Sequence, residues 1–170
     1  MYMRDTSTLS NKWVHRFMGL SREVSSWSKD NTKIGAVAID DDRRVLSMGF
    51  NGFPKGINDT HDRLSDRPTK LKYVVHAEMN CIYNAGFNGV SLKNSTLFVY
   101  GLPTCSECAK GVIQSGIKRL FMCYPGEIED GPWGISGTLG RDMLEEAGVK
   151  WEYIDEESFS SRYKPVGQGL

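Results

Sequence analysis

The sequence predicts a three-layer α/β/α sandwich built on a five-stranded mixed sheet. Two apolar strands follow each other closely near the N-terminus, which indicates a hairpin, and helices then alternate with strands to give the order α-β-β-α-β-α-β-α-β. Strand-helix-strand connections give parallel strands with helices on the faces of the sheet. The 170 residues show no internal repeat or long linker. We therefore expect a single domain, residues 1–170, with a core over about 12–155 and a C-terminal tail over 156–170.

The first helix and the hairpin are predicted from periodicity. Residues 12–27 form an amphipathic helix, because apolar side chains recur at steps of three and four. The apolar run 34–39 suits a buried strand, residues 40–43 a turn, and residues 44–50 the returning strand. The polar segment 51–71, rich in Gly and Pro, is expected to be a long loop, and loops of this length are usually functional.

The remaining helices are each expected to end at a glycine, which suits the left-handed conformation that follows many helices. Thr104 and Glu107 have the spacing of a capping box at the start of the third helix. An irregular loop is expected over 124–137 and a surface tail over 159–170. The predicted elements are helix 76–85 capped by Gly86, strand 96–100, helix 105–115 before Gly116, strand 120–123, helix 138–147 before Gly148, and strand 149–154.

Composition excludes several classes of function. Lys+Arg and Asp+Glu both number 21, so the formal net charge is zero, which argues against a protein that wraps nucleic acid. No run of about 18 apolar residues is present, so no membrane partner is expected. The N-terminus lacks the apolar core of a signal peptide. These observations favour a cytoplasmic protein.

Four cysteines are present. A reducing compartment and the C-x-x-C spacing of Cys105 and Cys108 favour metal binding over disulfides. Cys81 and Cys123 have no such spacing and are expected to be small buried apolar residues.

The motif His76-Ala77-Glu78, followed by Cys105 and Cys108, carries most of the chemistry. One imidazole and two thiolates can hold Zn²⁺ and leave a fourth position for water. The thiols lie on one turn at a helix start, where thiol pKa values fall. His76 and Glu78 are about 200° apart around an ideal helix, so they share a pocket only if both reach over a helix end.

A carboxylate beside such a metal indicates hydrolytic deamination of a nucleobase. Two thiolates balance the charge of Zn²⁺, so a nearby base becomes more necessary for activating the water. Glu78 would take a proton from that water, protonate the ring nitrogen and then the leaving amine. The separate motifs have other interpretations: C-x-x-C as half of a structural zinc site or a redox pair, and H-x-E as an exposed polar pair. A structural Cys₂His₂ site would need His15 or His61, both expected at the surface or in packing.

Four segments carry a resemblance to a known family: residues 28–36 (SKDNTKIGA), 49–56 (GFNGFPKG), 76–82 (HAEMNCI) and 103–117 (PTCSECAKGVIQSGI). Together they resemble the zinc-dependent deoxycytidylate (dCMP) deaminases of the cytidine deaminase superfamily. The H-A-E and P-C-x-x-C parts are shared by the wider superfamily, whereas N-G-F-P and E-C-A-K…Q-x-G-I point more narrowly to dCMP deaminases, including those of phages.

The resemblance implies a cytidine deaminase-like fold, with His76, Cys105 and Cys108 as the zinc ligands and Glu78 as the proton shuttle. It also implies roles for further residues, each with a structural alternative. Asn51 would bind the sugar hydroxyl, or serve only as a turn residue before Gly52. Ser28, Lys29 and Lys33 would lie near the phosphate, although the two lysines could also be solvated surface residues. Ala77 is a further substrate-binding candidate. Tyr124 and Trp133 would stack on the base, or else pack in the core.

The resemblance further implies that the product dUMP feeds dTMP synthesis. Alternative substrates are dCTP, cytidine and adenosine in tRNA, and a non-catalytic zinc-binding assembly module is the alternative from another class. Phe50 stands where many members have Tyr, so regulation by dCTP and dTTP stays open. A homohexamer is expected from the family, located in the cytoplasm, or in the host cytoplasm if the chain is phage-encoded.

Overall fold

The computed structural model describes residues 9–124, 132–157 and 159, except the side chains of residues 132 and 133. Five strands form one sheet in the order β2-β1-β3-β4-β5. The strands are β1 Gly35–Ile39, β2 Val45–Phe50, β3 Thr96–Tyr100, β4 Arg119–Cys123 and β5 Lys150–Tyr153. The helices are α1 Asn11–Ser25, α2 His61–Ser65, α3 Arg67–Tyr73, α4 Ala77–Phe87, α5 Ser106–Gln114 and α6 Pro132–Glu146.

The sheet is mixed, as the sequence predicts. β1 lies antiparallel to both β2 and β3, whereas β3, β4 and β5 are parallel neighbours joined through α5 and α6. The connection through α4 also joins parallel strands, β2 and β3, but β1 lies between them. The carboxyl ends of β3 and β4 therefore open on one edge, where ligands of open α/β sheets usually bind.

Two apolar layers hold the helices on opposite faces of the sheet. Alternate strand residues such as Val37 and Phe98 pack with α1, while Ala36 and Leu97 pack with α4, α5 and α6. Because side chains alternate across a strand, each buried strand supplies both cores. Gly49 lets α4 approach closely, since a Cβ there would lie 2.3 Å from the Cys81 nitrogen. This contact fixes α4, and with it the start of the helix, on the hairpin.

Two loop predictions were wrong in part. The segment expected to be a loop over 51–71 contains α2 and α3, and the Asp66 side chain caps α3 by accepting from the Thr69 amide at 3.2 Å. α6 begins at Pro132 rather than at residue 138. Proline suits the first turn of a helix, where its missing N–H is not needed. The other part of the expected loop 124–137, residues 125–131, lies outside the described residues.

The ends of two elements also differ from expectation. Gly86 lies within α4, and the turn after that helix uses Gly89, whose φ is +67°. Phe159, assigned above to a surface tail, is fully buried against α1 and Tyr100. Residues 160–170 lie outside the description. No helix in the described part of the chain combines the length and apolarity needed to cross a bilayer.

Candidate metal centre and active site

The candidate site forms where two helix starts meet. His76 is the N-cap of α4 and Cys105 the N-cap of α5, and both have extended backbone angles. An N-cap residue turns its side chain over the helix end rather than along its flank. Cys108 follows one turn into α5 and faces the same point. The geometric condition stated above, that both motifs act from helix tips, is therefore met.

The distances within this cluster suit a tetrahedral metal. The His76 Nδ1 atom lies 3.4 Å from the Cys105 Sγ and 3.3 Å from the Cys108 Sγ. All three ligand atoms lie within 4.8 Å of one another. Zinc–sulfur and zinc–nitrogen bonds of about 2.3 and 2.1 Å at tetrahedral angles place N and S about 3.6 Å apart. The residues present therefore fit Zn²⁺ with three protein ligands and one open position.

Electrostatics favour a cation at this point. Hydrogen bonds from Cys108 and from His76 lower the pKa of the Cys105 thiol to about 4. The pKa of Cys108 is raised, first by that same hydrogen bond and then by burial, so Cys105 ionises before Cys108. The hydrogen bond with Cys105 also raises the pKa of His76. By contrast, burial raises the pKa of Cys81 to about 12, as expected for an inert core thiol.

Glu78 lies beside the three ligands at the second residue of α4 and is only 3% exposed. Burial raises its pKa above the usual carboxyl value, and its own backbone amide, His76 and Thr104 oppose that shift more weakly. A carboxyl group with a raised pKa holds a proton more readily and can serve as a general acid and base. The arrangement therefore supplies a metal site with an adjacent proton carrier.

Helix α6 holds the loop that carries the thiols. The Ser136 hydroxyl accepts from the Ser106 amide at 3.1 Å and lies 3.1 Å from the Ser106 hydroxyl. A Cβ on Gly140 would lie 2.9 Å from the Thr104 carbonyl oxygen, so only glycine allows this approach. The predicted capping box is wrong: the Cys105 sulfur caps α5 by accepting from the Cys108 amide at 3.4 Å, and the Thr104 hydroxyl makes no such bond.

Asn51 and Ser28 belong to a buried polar network. The Asn51 side chain accepts from the Ile34 amide at 2.9 Å and donates to the Thr32 carbonyl at 2.7 Å. The Ser28 hydroxyl donates to the Asn51 carbonyl at 2.8 Å. One N–H and one lone pair of the Asn51 amide are left for a ligand. The turn-residue alternative thus gains a physical basis, because Asn51 ties the hairpin to the loop over residues 28–34.

The two lysines of that loop point into different surroundings. Lys29 pairs with Asp59 at 2.8 Å beside a cavity of about 330 Å³ that Asn51 and Phe50 also line. Lys33 donates to the Ser28 carbonyl and lines a second cavity, of about 480 Å³, with Arg22. The lysines are therefore not brought together around one cavity.

Comparison with known proteins agrees with this geometry. The sequence model of the family described as "Cytidine and deoxycytidylate deaminase zinc-binding region" matches residues 11–124, which contain all four motif residues. The chain belongs to this family. The resemblance recognised from the sequence motifs is confirmed.

Curated relatives come from bacteria, animals and phages. An uncharacterised deaminase of Aliivibrio fischeri is 37% identical over 85% of this chain and 95% of its own. Human deoxycytidylate deaminase is 35% identical over 89% of each chain. The deoxycytidylate deaminase of phage T2 is 29% identical over 73% of this chain and 86% of its own.

Solved structures show the same fold. The dCMP deaminase of cyanophage S-TIM5, determined with dCMP and dUMP, superposes with a TM-score of 0.68 at 25% identity. The match covers 86% of this chain and 100% of the cyanophage chain. The predicted cytidine deaminase-like α/β fold is confirmed.

The remaining residues predicted for the deaminase site differ in their surroundings. Ala77 is fully buried as the first residue of α4. The Tyr124 ring lies 4.5 Å from that of Tyr153, whose hydroxyl donates to the Tyr124 carbonyl. These contacts agree with the packing alternative for Tyr124, and they do not test stacking on a base. The side chain of Trp133 lies outside the described part of the chain.

One buried pair in this deaminase was missed by sequence reasoning. The Lys70 ammonium, on α3, lies 2.8 Å from the Asp30 carboxylate, whose side chain is 5% exposed. The Asp30 carboxylate also accepts from the Thr32 amide. The partners are 40 residues apart, and no spacing rule links them. The pair joins α3 to the loop over residues 28–34.

Proposed function

We propose that this protein hydrolyses the exocyclic amino group of deoxycytidine monophosphate, giving dUMP and ammonia, and so supplies dUMP for dTMP synthesis. The observation that carries the proposal is the convergence of His76, Cys105 and Cys108 beside the buried Glu78. A zinc centre in a structural role would have no use for a buried carboxyl group of raised pKa next to it.

The chain's own residues have distinct roles in this reaction. His76 and the two cysteines hold Zn²⁺, which supplies a Lewis acid that activates water at neutral pH. Glu78 accepts a proton from the attacking water and passes it to the ring nitrogen. It then takes the proton of the hydroxyl group added to the ring carbon and gives it to the amine, which leaves as ammonia while the carbonyl of dUMP forms. Its burial supports this cycle, because a raised pKa brings the proton donor and acceptor forms closer together in energy.

The substrate is assigned from the relatives and from charge. Human and phage relatives carry the name deoxycytidylate deaminase, and the cyanophage structure holds dCMP and dUMP. A formal net charge of zero disfavours the tRNA alternative, because binding to nucleic acid depends on basic surface. We assign Asn51 to the sugar hydroxyl, the segment from Ser28 to Lys33 to the phosphate, and Ala77, Tyr124 and Trp133 to the base pocket.

Ammonia release from a panel of substrates tests the proposal. We expect zinc-loaded protein to deaminate dCMP far faster than dCTP, cytidine or tRNA, and Glu78→Gln to serve as the zinc-loaded blank. Faster turnover of another substrate would contradict the assignment to dCMP. No turnover of any of them by protein carrying one zinc per chain would support the non-catalytic module instead.

Regulation and assembly are further parts of the proposal. We infer that dCTP and dTTP act as effectors, because the chain resembles the regulated dCMP deaminases. We also infer a homohexamer, since Tyr83 and Phe87 leave large apolar surface exposed on α4. Four unpaired cysteines support a reducing cytoplasm, that of the host for a phage-encoded chain. Rates at low dCMP with each effector, and the solution mass, test the first two inferences.

A further inference from the structure

The Glu156 side chain receives hydrogen bonds from the last residues of two neighbouring strands. The Tyr100 hydroxyl donates to its Oε1 atom at 3.1 Å, and the Cys123 thiol donates to its Oε2 atom at 3.1 Å. Tyr100 and Cys123 end β3 and β4 and are partners in the register of this parallel pair. Burial and then the nearby Glu156 carboxylate raise the pKa of Tyr100 to about 12, so the phenol keeps the proton that it donates. One carboxylate therefore spans the active-site end of the β3–β4 pair.

Residues 153–156, here called the strap, also bond the residues before and after that thiol. The Ile154 amide donates to the Met122 carbonyl at 2.8 Å. The Tyr153 hydroxyl donates to the Tyr124 carbonyl at 3.0 Å, and the two tyrosine rings lie 4.5 Å apart. The strap therefore holds three consecutive positions at the end of β4. The last of them is the residue that the proposed function assigns to the base pocket.

A buried ring anchors the strap separately from the carboxylate. Phe159 is fully buried, and its ring centroid lies 6.2 Å from that of Tyr100 and 6.3 Å from that of His15 on α1. The Arg22 guanidinium carbon lies 5.6 Å from the same ring. The Phe159 amide donates to the Asp155 carbonyl at 3.0 Å, which closes a turn between the ring and the strap. Because burial of a phenyl ring is strongly stabilising, the strap should stay attached when the carboxylate alone is removed.

We propose that Glu156 is a positioning residue, which fixes the backbone at the end of β4 and so orients Tyr124 for stacking on the base of the substrate. The inference rests on the proposed function, in which Tyr124 lines the base pocket. In this role the carboxylate acts through Cys123 and touches neither the metal nor the substrate. A stacked ring contacts the base in the bound substrate and in the transition state alike. Its displacement therefore weakens binding without slowing the chemical step.

Glu156→Ala tests this role by removing the carboxylate while Phe159 still anchors the strap. We expect KM for dCMP to rise about 5-fold, part of what the loss of a base–aromatic stack typically causes, with kcat and zinc content unchanged. Glu157→Ala removes the adjacent exposed carboxylate and is the matched control, which should behave like the parent. An unchanged KM in Glu156→Ala, a loss expressed only in kcat, or an equal rise of KM in Glu157→Ala would each overturn the role.

A double-mutant cycle tests the route through Tyr124. Tyr124→Ala alone should raise KM for dCMP about 10-fold, the effect of losing one stacked ring. If Glu156 acts by orienting that ring, Glu156→Ala should raise KM no further in the Tyr124→Ala background, because the oriented group is gone. Rises in KM that multiply would mean that Glu156 acts elsewhere, and the proposal would fail.

Amide hydrogen exchange gives a readout that does not depend on deamination. The Gly101 amide donates to the Cys123 carbonyl at 2.9 Å, at the strand end that Glu156 spans. We expect Glu156→Ala to speed exchange of this amide about 10-fold, because local opening then breaks fewer hydrogen bonds, while the amides of α4 keep the parent rate. Unchanged exchange at Gly101 would overturn the positioning role. If the parent deaminates none of the substrates the proposed function fails, and the exchange rates still decide whether Glu156 fixes this end of the sheet.

Discussion

Polar side chains are arranged in opposite ways in two neighbouring regions of this molecule. At the starts of α4 and α5, the ligand atoms of one imidazole and two thiols lie within 4.8 Å of one another, and the Glu78 carboxyl group is buried at the same helix start. In the loop over residues 28–34 and at Asn51, polar groups are bonded to one another and to backbone. The first region is organised to bind something that the chain alone does not supply. In the second region, most of the hydrogen bonds join parts of the chain to one another and so stabilise the fold.

The largest expected effect comes from breaking the first region at a ligand. Cys105→Ala removes one thiolate of three protein ligands and the cap of α5. We expect zinc to fall from about one per chain to near zero, and deamination to be lost with it. Metal analysis after desalting measures the first effect. Full zinc retention in the variant would show that Cys105 is not a ligand. Cys81→Ala, in the core, is the control that should keep its zinc.

Breaking the second region should change stability instead of metal content. Asp30→Asn keeps an oxygen for the Thr32 amide but leaves the Lys70 ammonium, 13% exposed, without its carboxylate. We expect the free energy of unfolding in urea to fall by about 2 kcal/mol, less than for a fully buried pair. Zinc content should not change.

Two companions sharpen that result. Lys29→Met breaks the exposed pair with Asp59 in the same loop and should cost less than about 1 kcal/mol. Adding Lys70→Met to Asp30→Asn should recover part of the loss, since it removes the unpaired charge. A double variant as unstable as the single one would mean that the ion pair is not the source of the effect.

A third change tests how α6 supports the metal region. Gly140→Val places side-chain atoms against the Thr104 carbonyl, whereas Gly86→Val, in α4, meets open space. Overpacking typically costs about 1–3 kcal/mol. We therefore expect Gly140→Val to release zinc to a chelator about 10-fold faster, and Gly86→Val to behave like the parent. Equal rates of zinc release from both variants would mean that the packing of α6 does not affect the metal site.

The smallest expected effect concerns the stability of zinc-free protein. Burial raises the pKa of Glu78 above its ordinary value of 4.5, so its contribution to stability is present below that pH and is lost as pH rises through the folded-state pKa. Gln carries no charge at either pH. We expect Glu78→Gln to raise the free energy of unfolding on the order of 1 kcal/mol at pH 7, with little change at pH 4. A gain of the same size at both pH values would mean that ionisation is not its source.

The metal region could be predicted because its information is local. His76-x-Glu78 and Cys105-x-x-Cys108 each lie within a single turn. Because both motifs must reach one metal ion, their residue types predict that the two helix starts lie close together. β3 was predicted with the observed bounds, because its apolar run is short and continuous. Such signals need no knowledge of distant partners.

The missed features depend on contacts that no local pattern encodes. α2 and α3 lie in a segment whose Gly and Pro residues indicate loops, and Lys70 secures α3 to a partner distant in sequence. α6 contains Gly134, Gly137 and Gly140, which lower helix propensity, yet Gly140 is needed for close packing on α5. Gly86 looked like a cap but is followed by a further helical residue. In each case tertiary packing overrides the local preference.

The placement of ligands on two separate helix starts has a consequence for folding. His76 lies 29 residues before Cys105 and 32 before Cys108, and the whole of β3 lies within that span. A metal bound by both ends acts as a cross-link, and closing a chain loop of this size removes conformational entropy from the unfolded state worth about 3.5 kcal/mol by the argument used for disulfides. The ion that takes part in the reaction would therefore also stabilise the fold, by linking α4 to α5 across the central strand β3.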